Sequence, residues 1–258
     1  MRITNLVVRW MCTAVTAAVL LSPASAAGQG SQALKRTPDG KPDLTGVWQA
    51  VTTANWNVLS HAADKDVPAG LGVVEGDQIP YQPWAAAQQR ENFKNRATAD
   101  PEARCYLTGV PRSTYMPYPF QILQTPKQIA VLYEYVHAVR RVYLDSKHPE
   151  GPIEWYMGDS RGRWEGDTLV VDIVHFTNPV WFDRAGNFAS DTLHVMERYT
   201  PMGPNHINYE VTIEDPKVFT RPWKMSMPLY RRMEKNVRIL EFECYAFGLE
   251  HTWLKPPE

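Results

Sequence analysis

Beyond its N-terminal segment the chain has no apolar run of the roughly 20 residues that a membrane-spanning helix requires, so no span is predicted after that segment. It also has no surplus of either charge, with 27 Lys and Arg against 28 Asp and Glu. A nucleic-acid partner would call for a clustered basic face and is not predicted. The one dense basic cluster (Arg231, Arg232, Lys235, Arg238) has Glu234 inside it and reads as a solvated face or turn. Phosphate-binding loops and Gly-x-Gly-x-x-Gly dinucleotide fingerprints do not occur. Neither do His-Glu-x-x-His or Cys-x-x-Cys. The seven histidines (61, 137, 148, 175, 194, 206 and 251) are scattered. Neither a metal nor any other cofactor is therefore predicted.

Cysteine is scarce, at three. Cys12 lies in the N-terminal segment, which has the plan of a secretory signal peptide. Arg2 and Arg9 precede or open an apolar stretch from Trp10 to Leu21, Pro23 breaks it, and Ala24-Ser25-Ala26 offers a cleavage site. The alternative, a membrane anchor, is disfavoured because the stretch is shorter than a bilayer span. Residues 1–26 are thus predicted to be removed and the product to be periplasmic or secreted. The mature chain keeps 25 Lys and Arg against 28 Asp and Glu. In an oxidising compartment Cys105 and Cys244 predict a disulfide, the alternative being two buried thiols. Closing so long a loop would stabilise by about 4 kcal/mol in the chain-entropy picture.

Proline, tyrosine and tryptophan are plentiful, at 21, 12 and 9. The prolines suit short strands, and the aromatics suit a wide core or a pocket. Residues 27–42 read as a flexible leader and 43–258 as one domain. Residues 84–96 (WAAAQQRENFKNR) predict the one clear helix, with Pro83 in its first turn. The stretches 100–120 and 176–190 read as long functional or tied-down loops. Strands are predicted at Gln128–Tyr135 and Ala138–Leu144, a hairpin around Val136-His137, and at 153–158. A tight turn is placed at 162–167. Thr168–His175, Leu193–Thr200, Ile207–Glu214, Trp223–Tyr230 and Val237–Tyr245 follow. The strand spacing predicts an all-β, mainly antiparallel sandwich or barrel.

Asp43-Leu44-Thr45-Gly46-Val47-Trp48 is similar to the Gly-x-Trp opening of lipocalin-like β-barrels, where the Trp packs across the barrel floor. Residues 158–172 (GDSRGRWEGDTLVVD), 181–186 (WFDRAG), 193–199 (LHVMERY) and 213–223 (IEDPKVFTRPW) together resemble a large family of secreted bacterial proteins of unassigned activity. That resemblance implies export and a β-barrel. The commonest version of the family has His at the positions of Asp159 and Ala189.

Charges set among apolar strand residues are the remaining signal, because a charge facing a core is costly. Alternation puts His194 and Glu197 on opposite faces, with Glu197 in phase with Leu193 and Val195. Glu134 lies in a Leu-Tyr-Glu-Tyr run. For each of these the plain alternative is a solvent-facing charge. Asp183, in Trp181-Phe182-Asp183-Arg184, reads equally as a carboxylate of raised pKa at a barrel mouth or as a turn residue. Arg112, Tyr115 and Tyr118 suit a ligand's acid group and ring, while Trp48, Trp164 and Trp223 read as core. Two functions follow. One is a barrel whose cavity binds a small apolar or aromatic molecule, held by Arg112, Tyr115, Tyr118, Glu134 and Trp181. The other is a cofactor-free acid–base enzyme (lyase, isomerase or hydrolase) using Asp183, His194 and Glu197 on a small aromatic or polar substrate.

Overall fold

The computed structural model describes residues 33–65, 67–177 and 180–242. The predicted signal peptide, residues 27–32 of the leader and Cys244, with its proposed link to Cys105, lie outside these residues. In chain order the strands are β1 (Gly46–Ala50), β2 (Phe120–Gln124), β3 (Gln128–Tyr133), β4 (Val139–Leu144), β5 (Asp159–Glu165), β6 (Thr168–Val174), β7 (Val180–Trp181), β8 (Phe188–Ala189), β9 (His194–Gly203), β10 (His206–Glu214) and β11 (Trp223–Arg231). Nine of them close a barrel in the order β1-β11-β10-β9-β6-β5-β4-β3-β2, and β7 and β8 form a separate small hairpin. Every neighbouring pair in the barrel is antiparallel except β4 and β5. The protein is therefore all-β and barrel-shaped, as its strand spacing predicts.

The alternation of residue types explains the closure. In β11, Trp223, Met225, Met227 and Leu229 are buried, while Lys224, Ser226 and Pro228 between them are exposed. In β10, Ile207, Tyr209, Val211 and Ile213 point the same way. Each such side chain contributes about 2 kcal/mol when removed from water. A slip of one residue would turn the whole row outward, so the register is strongly held. The β3–β4 turn uses Val136 and His137 at φ +48° and +52°. This is the two-residue left-handed turn whose twist suits a hairpin, although neither residue is glycine.

Trp48 is 1% exposed. Its indole Nε1–H donates to the Leu44 carbonyl at 2.8 Å, and the Arg231 guanidinium covers its ring at 4.2 Å. Arg231 is thus half-buried packing, not part of a solvated basic face. It also donates to the Thr45 and Pro204 carbonyls, which ties the two chain regions at this end together.

The helix α1 runs Pro83–Ala99, longer than its predicted span at both ends. It buries only Ala85 and is held by polar ties: Trp84 Nε1 to Lys217 O, Gln89 Nε2 to Ala185 O, and Asn92 Nδ2 to Gly186 O. Gly186 has φ +83°, and a Cβ there would come within 2.7 Å of the Phe93 nitrogen, so the close approach requires glycine. A short helix α2 (Arg112–Tyr115) interrupts the predicted 100–120 loop.

Three predicted local features differ. Residues 153–158 form no strand, and only Trp155 makes an isolated bridge, to Phe176. The turn predicted at 162–167 is confined to Gly166 and Asp167, because β5 continues to Glu165. Residues 237–241 carry no ladder, Phe242 makes one bridge to Tyr135, and 243–245 lie outside the described residues. In 153–158 and 237–241 several of the apolar residues that suggested a strand, Ile153, Tyr156 and Leu240 among them, are exposed and add no row to the core.

Trp48→Ala should destabilise the protein by about 4 kcal/mol, through the cavity it leaves and the loss of the Arg231 stack. Urea unfolding followed by circular dichroism measures this. A loss below about 1 kcal/mol would show that this end of the barrel does not rest on the indole.

Candidate functional site

Four strands place charged and phenolic groups inside the barrel. In β4, Arg140 falls in phase with buried Val142 and therefore points inward, with a side chain only 1% exposed. Its Nη2 donates to Glu197 Oε2 at 2.6 Å, and its Nε donates to Ser160 Oγ at 2.9 Å. Glu197, from β9, receives the Tyr209 hydroxyl on its other oxygen at 2.5 Å. Thr114 Oγ1 and the Tyr133 hydroxyl lie 3.3 Å apart beside this group. Burial pushes the phenols of Tyr133, Tyr199 and Tyr209 up, and the Glu197 charge adds to that, so all three stay protonated. Burial works against the Arg140 charge, but Glu197 outweighs it and holds the guanidinium protonated. One donor is left over: Arg140 Nη1 is buried and has no partner among the described residues. A buried donor without an acceptor costs about 1–3 kcal/mol, so the position favours an acceptor atom.

The wall opens beside Arg140. β4 and β5 pair only through Val142, Tyr143 and Leu144 with Ser160, Arg161 and Gly162. The first half of β4 has no ladder with β5. A cleft of about 860 Å3 lies there, and its lining includes both Arg140 and Ser160. It also includes the exposed apolar residues Val139, Ile153, Trp155 and Tyr156. Arg161 covers the Tyr143 ring at 4.8 Å and grips Asp159 with two hydrogen bonds. His148 Nδ1 lies 2.6 Å from the same Asp159 carboxylate. Burial alone would raise the Asp159 pKa, but the bonds from Arg161 and His148 hold it below the ordinary range.

A second polar centre lies outside the barrel strands. Arg112, fully buried, donates to Asn55 Oδ1, to both Asp100 oxygens and to Glu102 Oε2 at 2.6–3.0 Å. Arg184 grips Glu102 from the other side at 2.6 and 2.8 Å. The tip of the β7–β8 hairpin carries Asp183, also fully buried. It accepts from the backbone N–H of Val58 and Asn187 and from Asn187 Nδ2. Burial raises its pKa from the ordinary 3.8 to about 6, although those three donors and Arg112 pull the other way.

No protein-family model and no curated protein matches the chain. The site must therefore be read from its geometry.

The three acid–base candidates from the sequence do not form one constellation. Glu197 is inside the barrel. His194 is on the outer face, 3.1 Å from Asp172 and 3.4 Å from Glu214, as strand alternation requires. Asp183 is sealed at the hairpin tip. The ligand-holding candidates divide as well. Arg112 spends its donors on protein groups, and the buried Tyr115 hydroxyl donates to the Phe182 carbonyl at 2.8 Å. Trp181 is core, at 3% exposure. Glu134 lies just past β3 and accepts from Leu240 N at 2.7 Å, and Tyr118 stacks between Tyr135 and Phe242. These two fasten the chain after β11. Each of these residues is placed by the protein's own packing instead of by an open cavity.

Arg140 was missed, though a signal existed: it shares its strand face with Val142 and Leu144. Asp100, Glu102 and Arg184 carried no such pattern, because they meet from separate loops.

Asp183 sets a pH dependence with a definite sign. Its folded-state pKa lies above the unfolded value, so the unfolded chain ionises first as pH rises. Stability relative to Asp183→Asn should fall by about 3 kcal/mol between about pH 4 and about pH 6 and then level off. Paired denaturant melts across that range test this, and parallel curves would refute it.

Proposed function

We propose that this is an exported binding protein for a small aromatic or apolar molecule that carries an acceptor group such as a carboxylate or phenolate. The ligand lies in the cleft over the β4–β5 junction. The observation that carries the reading is a cleft bordered by exposed Trp155, Tyr156 and Ile153 whose lining also includes Arg140, a buried guanidinium with Nη1 unpartnered among the described residues. Grouped exposed apolar side chains with a few convergent polar groups are the usual make-up of a small-molecule site. The acceptor would take the free guanidinium donor, and the rings would cover the ligand's apolar body. The volume suits a molecule of one or two rings.

This places the ligand at an opening in the barrel wall. The interior behind it is occupied by Trp48, Phe120, Tyr133, Tyr199 and Tyr209. The resemblance to secreted bacterial proteins and the signal-like N-terminus support export.

A second reading, acid–base catalysis at the same cleft, is favoured by the His148–Asp159 pair, since Asp159 is part of the lining. It predicts that His148→Ala removes turnover of a bound ligand while leaving its affinity within about tenfold.

Titration with 2-naphthoate, followed by tryptophan fluorescence, tests the binding reading. The double variant Trp155→Ala/Tyr156→Ala should bind at least about tenfold more weakly. Its melting temperature should be nearly unchanged, because both side chains are exposed. Equal affinity in the variant would move the ligand elsewhere and defeat the reading.

A further inference from the structure

A second cleft, of about 770 Å3, shares no lining residue with the first. It lies beside the Glu102–Arg184 pair, and two of its lining residues have buried polar atoms with no partner: Trp56 Nε1 and His61 Nε2. Their chemistry is complementary. The indole nitrogen can only donate. His61 Nδ1 lies 2.8 Å from the Leu59 carbonyl oxygen, a contact that only a protonated Nδ1 satisfies. In the neutral ring this leaves Nε2 with a lone pair and no proton, so it can only accept. Beside them, the Arg184 guanidinium covers the Trp56 ring at 5.2 Å. Glu102 takes its Nε and Nη2, and no described residue accepts from Nη1. Arg184 is 38% exposed, so that nitrogen is within reach of a ligand.

The support for this arrangement is rigid. His61 and Gly70 exchange both backbone hydrogen bonds at 3.0 Å. A Cβ on Gly70 would come within 1.7 Å of Thr53 Oγ1 and 2.9 Å of the His61 ring, so the imidazole packs against a backbone that must stay bare. The same loop is anchored by Val58 N–H on the buried Asp183 carboxylate. Asp183 is thereby a positioning residue for this loop.

We propose that this cleft binds a small hydroxy-carboxylic acid. Its carboxylate accepts from Trp56 Nε1–H and Arg184 Nη1, and its hydroxyl donates to His61 Nε2. A plain carboxylate would leave the imidazole unsatisfied, and a plain alcohol would leave the Arg184 Nη1 donor without its matching acceptor. Glu102 does not oppose the anion, because Arg112 and Arg184 already neutralise it. Phe93, Ala62 and Ala97 give the carbon skeleton an apolar wall.

The test uses the full mature chain, isotope-labelled on nitrogen, titrated with 3-phenyllactate and with its deoxy counterpart 3-phenylpropionate. Phenyllactate should shift the Trp56 indole N–H and the His61 ring nitrogen signals. Phenylpropionate should bind about tenfold more weakly, the loss of one hydrogen bond. His61→Phe should erase that difference between the two acids, with a circular dichroism spectrum and melt confirming its fold. The Trp155→Ala/Tyr156→Ala variant should bind phenyllactate as the parent does. The proposal fails if neither signal moves at millimolar ligand, if the two acids bind equally, or if the Trp155/Tyr156 variant loses the binding. The last outcome would place the ligand in the first cleft and leave the function proposed for that cleft standing.

Discussion

A guanidinium withdrawn from water must have its donors met by protein, and Arg112 shows what that demand organises. Its partners come from three separate regions: Asn55 after β1, Asp100 at the end of α1, and Glu102 in the turn that follows. Glu102 in turn reaches Arg184 on the β7–β8 hairpin. None of these segments belongs to the barrel ladder, so strand pairing cannot position them. Removing one partner would leave an uncompensated buried charge, at a cost of several kcal/mol. The helix, the Asn55–Val73 loop and the hairpin are therefore fixed to one another by one ion cluster. The second cleft inherits its shape from that cluster.

The barrel interior repeats the device on a smaller scale. Arg140 and Glu197 answer each other across the barrel, and Ser160 and Tyr209 take up the adjoining positions. The difference lies in what remains. Arg112 sits in a network of acids, whereas Arg140 keeps one nitrogen unanswered next to an opening in the wall. The same residue type is thus structural in one place and a candidate for binding in the other. Sequence alone gives no means of telling them apart.

The strands were legible because their signal is local. The alternation in 206–214 and 223–231 needs no knowledge of the partner strand, and the Val136-His137 hairpin lies between two apolar runs. The opposite faces of His194 and Glu197 followed from the same period of two. The helix at 83–99 was visible through composition, although so little of it is buried. The site was far less legible. Asp183, Arg112 and Tyr115 were read as candidates for a ligand mouth, but each is buried, and burial satisfies them within the fold and does not present them to a ligand. Trp56 and His61 lie just before a stretch rich in glycine and proline, in a loop where no periodicity points to a face. Their meaning arises only when the loop folds back on itself at Gly70.

The parallel pairing of β4 with β5 has a consequence that is a matter of parity. Around a closed ring, strands can alternate up and down without exception only if their number is even. This ring has nine. At least one neighbouring pair must run the same way, and here there is one such pair. Strands that run the same way cannot be joined by a tight turn. The chain must travel back the length of the wall first, and residues 145–158 make that journey. They bring Pro149, Ile153, Trp155 and Tyr156 to the outside of the seam. An even-stranded relative with a simple hairpin at this point would have neither the seam nor the return segment. The first cleft is thus the mark that an odd number leaves on a closed sheet.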